Sequence, residues 1–216
     1  TLLASHDAVD LLTDGVIHLV DPTRYEISEL RDRFEYLCSA VSLSKMAGRA
    51  WERRRTDHNT FRRASPTAEV ATLRLESQES RRALMDVFEQ WLAGRLELDE
   101  SGQQEVAAFE RFLSFAPCLD YVVFVLKQGQ ALIGFQVYEL FQPEQVSICW
   151  FAKTLHQYPG ASTFLYSKSA GLLQKHYGIS HINMTDDLGL PGLRTFKLSL
   201  QPERLIKKYS VRKRLL

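Results

Sequence analysis

Hydrophobic positions recur along this chain with two periods, and the change from one to the other marks its elements. Over 121–127, 131–140 and 146–153 apolar residues are close together, and each stretch reads as a strand. The near-continuous apolar character of the first two is that of central strands covered on both faces. Gln128-Gly129-Gln130 joins them as a hairpin. Gly134 inside the second predicts a bulge or a close approach of other backbone. A further strand is expected over 68–75. Between it and the meander the period lengthens to that of a helix. Leu84, Val87, Phe88, Trp91 and Leu92 share one face of 82–96, and Val106, Phe109, Phe112 and Leu113 share one of 104–115. Pro159-Gly160-Ala161-Ser162 opens a helix to about residue 176. Gly178-Ile179-Ser180 breaks it, and 181–184 reads as a short buried strand. Pro191 suits the first turn of a helix, where its missing N–H has no partner to lose, and starts one that runs to about residue 200. Towards the ends the pattern weakens. Residues 1–12 read as a short helix, 16–20 as a strand, 25–33 as a short helix, 34–39 as extended and 203–209 as a last strand. The basic tail of Lys207, Lys208, Arg212, Lys213 and Arg214 reads as frayed.

Composition bounds this picture. At 216 residues, 45% hydrophobic and 25% charged, the chain suits one large globular domain, or one domain and a fragment of another. A net charge of +1 gives no global attraction to nucleic acid or an acidic membrane, so local charge matters more. Cys38, Cys118 and Cys149 are dispersed and odd in number, with no CxxC pair and no Cys/His ligand cluster. That points to a reducing compartment, to no zinc, and to inert thiols in apolar surroundings at Cys118 and Cys149. No apolar run approaches the roughly 18–20 residues of a membrane-spanning helix. The first residues carry no basic stretch and no initiator Met, so a segment of a longer chain is expected rather than a signal peptide.

Two stretches carry candidate chemistry. Segment 49–63 has helical length, but neither of its stripes is cleanly apolar, and it holds Arg49, Arg53, Arg54, Arg55, Arg62 and Arg63. Such a segment is either a solvated basic face or a phosphate-contacting surface. In 181–197, Asp186 and Asp187 sit at a strand end, Gly189 and Gly192 flank Pro191, and the following helix places Arg194 and Lys197 on one face. The spacing fits an anionic strand end facing two cations across a glycine turn. It fits equally an ordinary strand-turn-helix in which an aspartate pairs with Arg194. No GxSxG elbow, HExxH helix or P-loop is present.

The run Asp187-Leu-Gly-Leu-Pro-Gly-Leu-Arg-Thr-Phe-Lys197, followed by Pro202 and Lys208-Tyr209, resembles the closing signature of the phosphatidylglycerol lysyltransferase C-terminal domain family, related to the Fem peptidyl transferases. Gly48, Arg49, Arg53, Arg54, Asn59 and Phe61 resemble the family's basic helix, with Arg55 where an Asn is usual. The resemblance covers roughly 34–211. It implies an α/β (α+β) fold of the GNAT acyltransferase type, a mixed, mostly antiparallel sheet flanked by helices, which matches the order of elements above. Relatives carry two such lobes in tandem. Residues 1–33 are therefore expected to be a remnant of a preceding lobe, and 34–216 a transferase lobe with a helical elaboration at 78–116.

The resemblance further implies transfer of an aminoacyl group from aminoacyl-tRNA to a phosphatidylglycerol-like lipid or an amine acceptor. It implies no cofactor and no metal, and a place in the cytoplasm or at the inner face of the membrane, with peripheral contact. Acyl transfer needs an oriented acceptor and positive charge where the oxyanion forms. On that basis Asp187 is the candidate to orient or deprotonate the acceptor, and Arg194 and Lys197 to hold the oxyanion or the donor's phosphate. Lys153 is the fourth candidate catalytic residue. Arg49, Arg53, Arg54, Asn59, Asn183, Gly189 and Gly192 are candidate substrate-binding residues. Where relatives usually carry an acid, this chain has Ala152. Two alternatives stand beside this reading. One is a non-catalytic GNAT-like module that binds a nucleic acid or another anionic partner through 49–63. The other is a CoA-dependent N-acyltransferase, against which stands the missing glycine-rich pyrophosphate loop near 159–162.

Overall fold

The computed structural model describes residues 8–94 and 100–214. In chain order its elements begin with β1 (Ala8–Thr13), α1 (Asp14–Ile17), β2 (Tyr25–Glu29), β3 (Glu35–Ser39), α2 (Ala40–Lys45), α3 (Glu52–Ala64), β4 (Ala68–Leu73), α4 (Gln78–Ala93) and α5 (Glu100–Phe115). They continue with β5 (Tyr121–Gln128), β6 (Ala131–Phe141), β7 (Val146–Thr154), α6 (Ala161–Tyr177), β8 (His181–Asn183), α7 (Pro191–Ser199), β9 (Arg204–Ile206) and β10 (Lys208–Lys213). Short 3-10 turns precede β3, α3 and β5. The architecture is α/β, with mostly antiparallel strands flanked by helices. Among the described residues no helix is long and apolar enough to cross a membrane. The chain forms two compact units, one of residues up to Cys38 with those from Asn183 onward, the other of Ser39–Ile182.

In the larger unit the strand order is β4-β5-β6-β7-β8, and β4 to β7 pair as antiparallel neighbours. The central residues of β5 and β6 are buried, as their near-continuous apolar runs predict. α4, α5 and the sheet meet on Phe109, whose ring stacks on Phe88 at 4.5 Å and Phe135 at 5.2 Å and meets Phe151 edge-on at 5.0 Å. Two bulges interrupt the meander. At Gly134 the β5 register slips so that Ile133 has no partner, and the Ile133 carbonyl accepts from the Leu155 amide at 2.9 Å. A Cβ on Gly134 would stand 2.7 Å from the Thr154 side chain and 2.9 Å from the Lys153 carbonyl. Both readings of this glycine, bulge and close backbone approach, therefore hold. The second bulge lies in β7, where Val137 faces Phe151 but Tyr138 faces Cys149, leaving Trp150 as the extra residue. Of the two cysteines expected in apolar surroundings, Cys149 is buried but Cys118 is exposed.

The smaller unit corrects the reading of the chain's ends. Residues 1–7 of the expected first helix lie outside the described residues; 8–13 form strand β1, and 25–29 form β2. The expected strand over 16–20 is instead a helical turn and bend around α1. The expected frayed tail is β10, the middle strand of β1-β10-β2, with Val211 opposite both Val9 and Ile27 and fully buried. One cause explains all of these. β1 and β2 are extended because each pairs with β10, almost the whole chain length away, and a local window shows no such partner. The stretch 203–209 divides into β9, which pairs with β3, and the start of β10.

α3 lies against the start of α6. Gly160, the N-cap of α6, has φ +82°, and a Cβ there would stand 2.2 Å from the Asp57 carbonyl oxygen of α3. Gly178 also has positive φ, +68°, but faces open space. Gly160→Ala is therefore expected to cost about 2–3 kcal/mol, from backbone strain and displacement of α3 together, and Gly178→Ala about 1 kcal/mol from the backbone alone. Urea unfolding of the two variants checks this; equal losses would mean that α3 yields without cost.

Candidate functional site

The motif-bearing stretch, 183–197, lies wholly in the smaller unit. After β8 the chain makes a turn in which Thr185, Leu188 and Gly189 all have positive φ, at 58°, 52° and 75°. For a β-branched Thr that backbone is costly and persists only if surrounding groups fix it. They do. The Asn183 side-chain oxygen accepts from the Thr185 amide at 2.8 Å, while its Nδ2 donates to Glu35 at 2.8 Å, and Lys208 pairs with the other Glu35 oxygen at 2.9 Å. Lys197, buried on α7, donates to the Met184 and Asp186 carbonyls and to Thr185 Oγ1 at 3.2 Å. Lys197 therefore pegs this turn to α7. Gly189 is needed twice, for its φ and because a Cβ would stand 2.9 Å from an Asp32 carboxylate oxygen. Gly192, in the first turn of α7, has nothing within 4 Å of a Cβ position.

Asp187 is the centre of this turn. Its side chain is fully buried, and its carboxylate takes a two-pronged pair of bonds from Arg194, Nε to Oδ2 and Nη2 to Oδ1, both 2.9 Å. The Gly189 amide donates to Oδ1 at 2.9 Å, Arg31 to Oδ2 at 3.3 Å, and the Tyr36 hydroxyl to Oδ2. Arg194 also reaches Asp32 at 2.6 Å. Burial alone would raise the Asp187 pKa, but the bonds from Arg194, Tyr36 and the Gly189 amide outweigh it and hold the carboxyl below the ordinary carboxylate range. The Tyr36 phenol is pushed up by burial and by the Asp187 carboxylate. The second aspartate, Asp186, pairs at 3.2 Å with Arg33 in a more exposed bridge. The pairing of an aspartate with Arg194 that the spacing allowed is thus present. Tyr36, Arg31, Asp32 and Glu35 escaped the sequence reading because they lie about 150 positions from Asp187 and belong to no motif with it.

The remaining candidates belong to the larger unit. Lys153, buried at the end of β7, places Nζ 2.5 Å from Glu105 of α5 and 3.7 Å from the centroid of the Trp91 ring. Glu105 and Trp91 carry no sequence signal beyond helix position. The arginine-rich segment is helical as expected, and its arginines divide by role. Arg54 turns inward, to Asp57 at 3.1 Å and Thr163 Oγ1 of α6 at 3.4 Å. Arg55 donates to the Met46 and Gly48 carbonyls at 2.6 and 2.5 Å, closing the end of α2. Arg49, Arg53, Arg62, Arg63 and Asn59 are exposed. Within the described residues no group of three or more His, Cys, Asp or Glu could hold a metal ion.

Asp187 gives a prediction with a definite sign. A carboxyl whose pKa is depressed on folding adds stability that is fully present above its unfolded value, about 3.9, and is lost as pH falls towards the native value. Asp187→Asn, which leaves Arg194 and Tyr36 without their anion, is expected to cost about 3 kcal/mol at pH 7. The gap from the unmodified chain should narrow between pH 5 and pH 3 (roughly the range of). Urea unfolding at the three pH values measures it, and a gap independent of pH would remove the ionised carboxylate from the account.

Comparison with known proteins completes the picture. A sequence profile of the phosphatidylglycerol lysyltransferase C-terminal family matches residues 4–212. No curated protein matches the sequence. Among solved structures, a conserved protein of unknown function from Bacteroides thetaiotaomicron is similar over 98% of this chain and 71% of that one, at 19% identity and a TM-score of 0.86. The C-terminal domain of a protein provisionally assigned as a lysylphosphatidylglycerol synthetase, from Agrobacterium fabrum, is similar over 96% and 67%, at 14% identity and a TM-score of 0.68. L-PGS from Bacillus licheniformis is similar over 97% and 68%, at 17% identity and a TM-score of 0.65. At these identities the structures speak for the fold, while the profile spans almost the whole sequence: the chain belongs to the phosphatidylglycerol lysyltransferase C-terminal family.

Proposed function

We propose that the chain is a transferase lobe that moves an aminoacyl group from aminoacyl-tRNA to a hydroxyl of a phosphatidylglycerol-like lipid or to an amine. The observation that carries this, beside the family, is the concentration of exposed arginines at 49–63 in a chain of net charge +1. Arg49, Arg53, Arg62 and Arg63 would meet tRNA phosphates, with Asn59 among them. Arg54 would instead hold α3 in place through Thr163. In the reaction the acceptor oxygen or nitrogen attacks the ester carbonyl carbon, the bond to the terminal ribose oxygen breaks, and the acceptor's proton ends on that oxygen. Much of the rate in such an exchange comes from orientation and from donors to the oxyanion. Lys153, fixed by Glu105 and Trp91, is the candidate donor in the larger unit.

A carboxyl held below its ordinary range is a poor base near neutrality. Asp187 therefore serves this reading as a positioning residue, together with Arg194, Lys197 and Asn183, and keeps the turn and the open backbone at Gly192 in one conformation. The same observation, with Ala152 in place of an acid, favours the second reading, a binding module without catalysis. A CoA-dependent reaction has less support. The first turn of α6, which would meet the pyrophosphate, is packed under Asp57 and Arg54 of α3.

Binding of tRNA is expected to weaken with salt by about 0.9 log units per log unit of salt for each duplex phosphate contacted. Arg49→Ala and Arg53→Ala should each flatten that slope by about one contact. Arg54→Ala should change stability more than slope. Filter binding across a salt series, followed by transfer assays with charged tRNA and phosphatidylglycerol vesicles, separates the readings. Binding without transfer would leave the module, and no binding at low salt would remove tRNA.

A further inference from the structure

We propose that the groove between α5 and strands β5 to β7 is a binding site for an organic ammonium ion carried on an apolar body. The groove encloses about 480 Å³, a volume typical of small-molecule sites. Aromatic side chains dominate its lining: Phe112, Phe115, Tyr121, Trp150 and Phe151. Several are set by packing, since Phe112 meets Tyr121 edge-on at 5.3 Å and lies 5.8 Å from Phe151. Yet Phe115 is 59% exposed and Trp150 52%, so large apolar surface remains in water that a ligand would cover.

Trp150 is the strongest sign that the groove is built rather than incidental. It is the extra residue of the β7 bulge, and bulges in a sheet commonly re-aim one side chain. Its indole N–H donates to Glu139 on the neighbouring strand at 2.7 Å, which fixes both the ring and the carboxylate at the groove wall. Asp120 adds a second carboxylate, and Arg111 is the one cation of the lining. An anionic ligand would face two carboxylates and the negative faces of aromatic rings. A cation meets favourable terms from both. The rings also require apolar bulk, so the fitting ligand joins an ammonium to an alkyl or aryl body. That chemistry could reach the groove as a free amphiphilic amine or as an ammonium headgroup on a membrane lipid.

The test uses 2-phenylethylammonium and octylammonium, with octanoate and 2-phenylethanol as controls. Binding is followed by calorimetry and by the fluorescence of Trp150, the exposed one of three tryptophans. The ammonium compounds are expected to bind at least about tenfold tighter than octanoate, with Glu139→Gln removing most of that preference and Trp150→Phe removing the fluorescence change. Thermal unfolding confirms that both variants fold. Flotation with neutral vesicles, with and without an ammonium-headgroup lipid, distinguishes the sources. Flotation only with that lipid assigns a membrane source, and binding of free amines alone assigns a soluble one. Equal binding of octanoate and octylammonium, an unchanged preference in folded Glu139→Gln, or no binding in either arm would overturn the proposal.

Discussion

Removing a carboxylate wholly from water costs several kcal/mol unless other donors replace its hydration, and around Asp187 that replacement organises the smaller unit. Its donors come from the 3-10 turn before β3, from β3 itself, from the tight turn after β8 and from α7. None can move without leaving part of a buried charge unpaired. The positive-φ backbone at Thr185, Leu188 and Gly189 is tolerated for the same reason, since Lys197, Asn183 and Gly189 supply the bonds and space that this path requires. The charged residues of the motif thus act first on one another.

The larger unit uses charge differently. Arg54 and Arg55 are spent inward on α6 and on the end of α2, and their geometry fixes the direction in which the other arginines of the segment face solvent. Here packing glycines and inward arginines hold a helix so that its outer face can remain highly charged. The β7 bulge applies the same logic to an aromatic ring, with a local break in pairing that sets the place of one side chain.

How far the sequence could be read follows from the distance over which each feature is decided. The meander, the helical pair and α6 were legible because their periodicity and their glycines are local; even the bulge at Gly134 had a local sign. The motif at 187–197 was legible as a constellation, and so was its pairing of an aspartate with Arg194. What it bonds to was not. Tyr36 and Arg31 reach Asp187 across about 150 positions, and Glu105 and Trp91 reach Lys153 from separate helices. The strands β1 and β2 were misread as helices because their partner, β10, looks like a charged tail in isolation. Five of its six residues, Lys208, Tyr209, Ser210, Arg212 and Lys213, are polar or charged, and only Ser210 and Val211 at its centre are buried.

That central place of β10 bears on how the chain is made. A ribosome delivers residues in order at about 5–20 per second, and Arg31 precedes Asp187 by 156 positions. The segments that become β1, β2 and β3 therefore wait roughly 10–30 s for their partners, while the intervening unit already holds its local pairings. Closing so long a loop costs little more than closing one half its length, about 0.6 kcal/mol. Exposure during the wait, rather than entropy, is then the hazard for these unpaired strands. The two glutamates of β2, Glu26 and Glu29, are suited to keep a nascent strand from pairing with a neighbour's before β10 emerges.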